Sequence, residues 1–89
     1  MAIATPLTNA SPNPNALKFQ LDITLPGTVS FRSKDEAEAA GDAFAAAVLA
    51  VDGVSSLFGT NDFVTVTRAG DTAWEPIIEA VQAAAATDL

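Results

Sequence analysis

Leu17, Phe19, Leu21 and Ile23 alternate without interruption with Lys18, Gln20, Asp22 and Thr24. A period of two places the apolar side chains on one side of an extended backbone and the polar ones on the other. Such a segment is a half-buried strand. Phe63-Val64-Thr65-Val66-Thr67-Arg68 repeats the pattern with β-branched residues, which suit a pleated surface. A chain with two such segments is constrained to build a sheet with one dry face and one wet face, the habit of antiparallel sheets.

The other segments fill in a two-layer design. Val29 and Phe31 alternate with Ser30 and Arg32, behind Leu25-Pro26-Gly27-Thr28. Proline there pre-sets a corner and glycine accepts positive φ, so the first two strands are expected to form a hairpin. Val54 to Phe58 is a short apolar strand and Gly59-Thr60-Asn61-Asp62 a turn, giving a second hairpin with the 63–68 strand. Ser33 and Glu36 have capping-box spacing, and Asp35, Glu36 and Glu38 match the helix dipole. One helix is expected over 34–50, with Gly41 a mid-helix defect worth about 1 kcal/mol against alanine. Asp52-Gly53 is its stop signal. Thr72 and Glu75 make a second capping-box pattern, and Pro76 must fall in the first turn. Trp74, Ile77, Ile78, Val81 and Ala85 form one apolar helical face.

This order predicts an α+β two-layer sandwich, β-β-α-β-β-α. A four-stranded, mainly antiparallel sheet would carry two helices on one face. Residues 1–15 read as an irregular lead-in and 16–89 as a single domain. Phe19, Leu21, Val29, Phe31, Phe44, Val48, Val64, Val66, Ile77 and Val81 should share the core. Lys18, Gln20, Asp22, Ser30, Phe63, Thr65 and Thr67 should occupy the uncovered face. Nineteen residues are alanine, leaving 25 large apolar side chains. That suffices for one thin layer between helices and sheet, not for a deep, thick-walled cavity.

Cysteine and histidine are both absent. Thiolate nucleophiles, disulfides, thiolate or imidazole metal sites and histidine acid–base chemistry are therefore excluded. Four basic residues face eleven acidic ones, a net charge of -7. So acidic a surface repels phosphate backbones and anionic membranes, so neither nucleic acid nor membrane is expected as a partner. The first residues lack the basic and apolar segments of a secretory leader and are not Arg-rich like a transit peptide. No stretch has the apolar length to span a bilayer. A cytoplasmic location is expected.

Asn13-Pro14-Asn15, with Leu17-Lys18-Phe19 after it, opens a series of family-like motifs. Ala50-Val51-Asp52-Gly53-Val54, Ser55-Ser56-Leu57-Phe58, Asp62-Phe63-Val64-Thr65-Val66-Thr67-Arg68 and Trp74 with Ile77 follow in order. Together, over about residues 11–86, they resemble the N-terminal scaffold domain of Nfu/NifU proteins. The chain departs from that pattern at Gly59-Thr60-Asn61, where relatives more often place another aromatic before the glycine, and in its alanine-rich first helix. Larger members carry a C-terminal domain whose Cys-x-x-Cys pair holds an iron–sulfur cluster. This chain reads as a stand-alone N-terminal domain, and without cysteine the cluster function does not carry over. The resemblance implies a non-enzymatic accessory or protein-interaction module. It also implies a protein partner, with iron–sulfur assembly components as candidates, and no cofactor of its own. The alternative is a small-molecule or metal-binding protein, or an enzyme, with its site at a homo-oligomer interface.

No residue pattern points to catalysis. Thr65 and Thr67 have no visible base, and the carboxylates lie mostly on helix starts and turns rather than facing one another across a cleft. Glu38 and Asp42, one turn apart on the expected helix, raise the question of a divalent cation, but dipole matching and a solvated face account for them. Lys18 is placed to pair with Asp22, a contact worth about 0–1 kcal/mol at a surface. Trp74 reads as core or core rim. The prolines at 12 and 14 fix φ and hold Ser11 and Asn13 extended, which launches the strand in a set direction. The same rigid segment borders the uncovered sheet face. Asn13, Pro14, Asn15, Lys18 and Phe63 are therefore the candidate interaction surface.

Overall fold

A computed structural model of the chain describes residues 2–7, 15–25, 27–70 and 72–89. The strands are β1 (Ala4–Leu7), β2 (Ala16–Leu21), β3 (Val29–Phe31), β4 (Val54–Thr60) and β5 (Phe63–Arg68). The helices are α1 (Lys34–Ala39), α2 (Ala43–Leu49) and α3 (Trp74–Asp88). The sheet runs β1-β2-β5-β4-β3, with every neighbouring pair antiparallel. The α+β class and the antiparallel sheet are as expected. The described elements number five strands and three helices, not four and two.

The extra strand comes from the expected lead-in. Ala4 to Leu7 pairs along β2, and Pro6 is tolerated because β1 is an edge strand. Hydrogen bonds beyond the β1–β2 ladder also hold this edge. The Ala2 amide donates to Ala85 O at 3.1 Å. Gln82 Nε2 donates to Ala4 O at 3.3 Å, and the Ile3 amide to Asp22 Oδ1 at 2.8 Å.

The extra helix comes from a break in the 34–50 segment. Gly41 has φ +74°, so it cannot continue a right-handed helix. The Gly41 amide donates to Glu38 O and the Asp42 amide to Ala37 O, both at 3.0 Å. That is a Schellman ending for α1. Asp42 at once becomes the N-cap of α2, its Oδ1 accepting from the Ala45 amide at 3.0 Å. Glu38 and Asp42 thus belong to different helices. The cap of α1 forms as expected, with Ser33 Oγ accepting from the Glu36 amide at 3.2 Å. Glu36 Oε1 reaches back to the Arg32 amide. The second capping box does not form: Ala73 caps α3 without a side-chain bond, and Thr72 Oγ1 donates to Ala69 O instead.

The first expected hairpin is also replaced. β5 and β4 lie between β2 and β3, a lateral step of three strand spacings, about 14 Å. The chain leaving β2 is held to the turn of the β4–β5 hairpin. Leu21 and Leu25 amides donate to Asp62 O and Asn61 O, at 2.7 and 2.6 Å. Pro26, part of the expected turn, lies outside the described residues. The second hairpin forms with a shorter turn than expected. β4 runs on to Thr60, and Asn61, at φ 53°, and Asp62 make the corner.

Nine of the ten expected core residues are buried, and Val29 is half-buried against them. Leu17, Leu49, Leu57 and several alanines join that core. α2 and α3 pack on the same sheet face, leaving the opposite face uncovered.

Candidate functional site: the open face of the sheet

The strand register arranges the uncovered side chains in rows. One row runs Ser30, Phe58, Thr65, Lys18 and Leu7, from β3 across to β1. The next runs Thr60, Phe63, Gln20 and Thr5, with Thr28 and Thr60 hydroxyls 2.8 Å apart at its end. Ile3, in line with Thr5 and Leu7, stands at a corner. Phe58 and Phe63 are diagonal neighbours, close enough for large rings to share a surface.

This face has a distinct chemistry. Ile3 and Phe58, 66% and 40% exposed, are the exposed large hydrophobics among the described residues, and both lie here. Phe63 is half-buried, and Lys18 lies over it with Nζ 4.0 Å from the ring centroid. Such a contact holds the ammonium by the ring's electron-rich face. Lys18 therefore turns to Phe63, while the Asp22 carboxylate goes to the Ile3 amide. The expected Lys18–Asp22 pairing is not what these contacts show. Away from its margins the face carries one formal charge, Lys18, although the chain is strongly acidic.

The sequence candidates divide accordingly. Lys18 and Phe63 are brought together. Asn15 sits at the margin, tied to the end of β5: its backbone carbonyl accepts from the Arg68 amide at 2.8 Å and its Oδ1 from Arg68 Nε at 3.3 Å. Asn13 and Pro14 lie outside the described residues. Phe58 and Ile3 are residues that sequence reasoning missed, Ile3 because 1–15 reads as an irregular lead-in. Extending β4 to Thr60 makes Leu57 and Gly59 inward and Phe58 outward, an alternation hidden when 54–58 is read simply as a short apolar strand. Trp74 is on the core rim as expected, half-buried, with the Arg68 guanidinium 5.4 Å from its ring centroid.

A metal centre finds no support in these residues. The described residues contain no group of three carboxylates placed to hold a metal ion. An iron–sulfur cluster needs thiolates, and the sequence has none, so the residues do not fit that group. No helix among the described residues is long and apolar enough to cross a membrane.

Comparison with known proteins places this geometry. Protein SAV1430 from Staphylococcus aureus has the same fold in two structures. Its crystal structure superposes with a TM-score of 0.70 at 28% identity, covering 91% of this chain and 92% of that one. Its solution structure gives 0.68 at 29% identity, covering 94% and 89%. NifU-like protein 5, mitochondrial, from Arabidopsis thaliana is 34% identical over 68 residues, 76% of this chain. The chain spans 25% of that relative's length. The family described as scaffold protein Nfu/NifU N terminal matches residues 7–88. On that match, running across nearly the whole sequence, the chain belongs to the Nfu/NifU N-terminal family.

Proposed function

We propose that this domain is a non-enzymatic interaction module of iron–sulfur cluster assembly, which contacts a protein partner through the open face of its sheet and does not itself ligate the cluster. The observation that carries the reading is the nearly uncharged open face itself, on which Lys18 packs over Phe63 and the exposed ring of Phe58 is the diagonal neighbour of Phe63. Apolar side chains exposed together mark contact surfaces more often than scattered ones do. Aromatic side chains are enriched at the cores of protein interfaces. Family membership supplies the process, and the lack of thiolates removes the ligand role. The cytoplasm is the proposed location, although the plant relative is named as mitochondrial.

Affinity capture with a paired control tests this reading. Wild-type chain and the Lys18→Glu/Phe58→Ser double variant are immobilised and exposed to native extract. Both must first show the same melting temperature. Assembly proteins of the iron–sulfur pathway retained by wild type and lost by the variant are the expected result. Retention by both, or by neither, would overturn the proposal.

A further inference from the structure

On the opposite side of the molecule, the break between α1 and α2 opens a groove of about 380 Å³ at the rim of the helix layer. That is within the range of small-molecule sites, roughly 300–1,000 Å³. Leu57 and Val64 of the sheet and Phe44 of α2 line it, all nearly fully buried. Leu25 and Val29 form another wall by leaning over Gly59, where an added Cβ would lie 3.0 Å from Leu25 Cδ1 and 3.2 Å from Val29 Cγ2. Gly59 thus lets this wall close down on the sheet.

The charged lining is of one sign. Asp42 stands at the start of α2 and Asp88 in the last turn of α3, and none of the four basic residues lines the groove. The last turn of α3 holds no basic residue, so the partial negative charge of this 15-residue helix adds to that of Asp88. An anion would meet two carboxylates and the C-terminus of α3, while the start of the seven-residue α2 is already capped by Asp42 Oδ1. A neutral apolar molecule would leave that field unused.

We propose that this groove binds a small organic cation, an alkyl- or arylammonium. Its apolar body lies against Phe44, Leu57 and Val64, and its charge is met by Asp42 and Asp88. This inference is independent of the sheet-face interaction.

An isosteric probe pair tests it. ¹⁵N-labelled chain is titrated at low ionic strength with phenethylammonium and, separately, with 3-phenylpropionate, which has the same aromatic body and the opposite charge. The cation should give saturable amide shifts at Gly27, Gly41, Phe44 and Leu89. It should bind about tenfold or more tightly than the anion, the order expected when attraction at a partly wet site is exchanged for repulsion. Added salt should weaken the cation and narrow the gap. Asp42→Asn/Asp88→Asn should remove most of the discrimination, and asparagine keeps the capping oxygen that α2 needs. Salt dependence in the wild type decides the matter even where the double variant is perturbed. Equal affinity for both probes, no saturable shift, shifts confined to the open sheet face, or salt-independent discrimination would each overturn the proposal.

Discussion

Phe44 projects from α2 into the layer between helices and sheet and is 4% exposed. It also lines the groove. Truncation to alanine removes most of a buried aromatic and should cost about 3–5 kcal/mol. In a domain of this size that corresponds to a fall in melting temperature of upwards of about 12 °C. Thermal unfolding of Phe44→Ala checks this, and an unchanged Tm would mean that the ring is not part of the core. At this scale the sequence was informative wherever burial followed period. Lys18, Gln20 and Thr65 were legible as outward because their neighbours on both sides are apolar, and Phe63 because it keeps step with Thr65 and Thr67. Phe58 was not, since Leu57 and Phe58 are both apolar and the strand had to be extended to Thr60 before their opposite directions emerged.

At the scale of elements, the decisive pair is Gly41-Asp42. Read by apolar periodicity alone, 34–50 is one helix, because alanine suits any helical position and Phe44 and Val48 keep the stripe. The local chemistry reads differently: a glycine with φ +74° ends α1, and the aspartate beside it starts α2. The two descriptions predict opposite signs for Gly41→Ala. In a continuous helix alanine would stabilise by about 1 kcal/mol. In the broken one it forces a left-handed alanine, at about 1–2 kcal/mol. Space is not the obstacle, since an added Cβ at Gly41 meets nothing within 4 Å. Denaturant unfolding of Gly41→Ala should therefore show a lower midpoint at unchanged slope, and a higher midpoint would restore the single helix. The β2–β3 hairpin failed for another reason. Turn residues show that a chain bends, but strand partners are chosen by long-range packing that no local pattern records. The β4–β5 hairpin was legible because its partners are also sequence neighbours.

At the scale of the molecule, charge and shape divide the work. The helix side carries the acidic residues of α1 and α3, and the sheet side is nearly uncharged and partly apolar. The two-layer design was legible because segments with periods of two and of 3.6 allow few other arrangements in so short a chain. β1 was not, because Ala4-Thr5-Pro6-Leu7 carries little strand signal and acquires its order from β2 and α3. The absence of thiolates bears on the whole chain, and it predicts the outcome of anaerobic reconstitution with iron and sulfide. After desalting, the protein should retain neither stoichiometric iron nor cluster absorbance, whereas a stable chromophore would contradict the accessory role.

The central claim is that the open sheet face makes the contact. The most direct measurement is an NMR titration of the labelled chain with an iron–sulfur assembly protein recovered by capture on the wild-type domain. The account predicts that the largest shifts fall on Lys18, Phe58, Phe63 and Thr65, extend to Asn15 at the margin, and disappear with Lys18→Glu/Phe58→Ser. Shifts centred on Glu36, Glu38 and the rest of α1, together with loss of binding on Glu38→Lys but not on the sheet-face substitutions, would contradict it and assign the interface to the acidic helices.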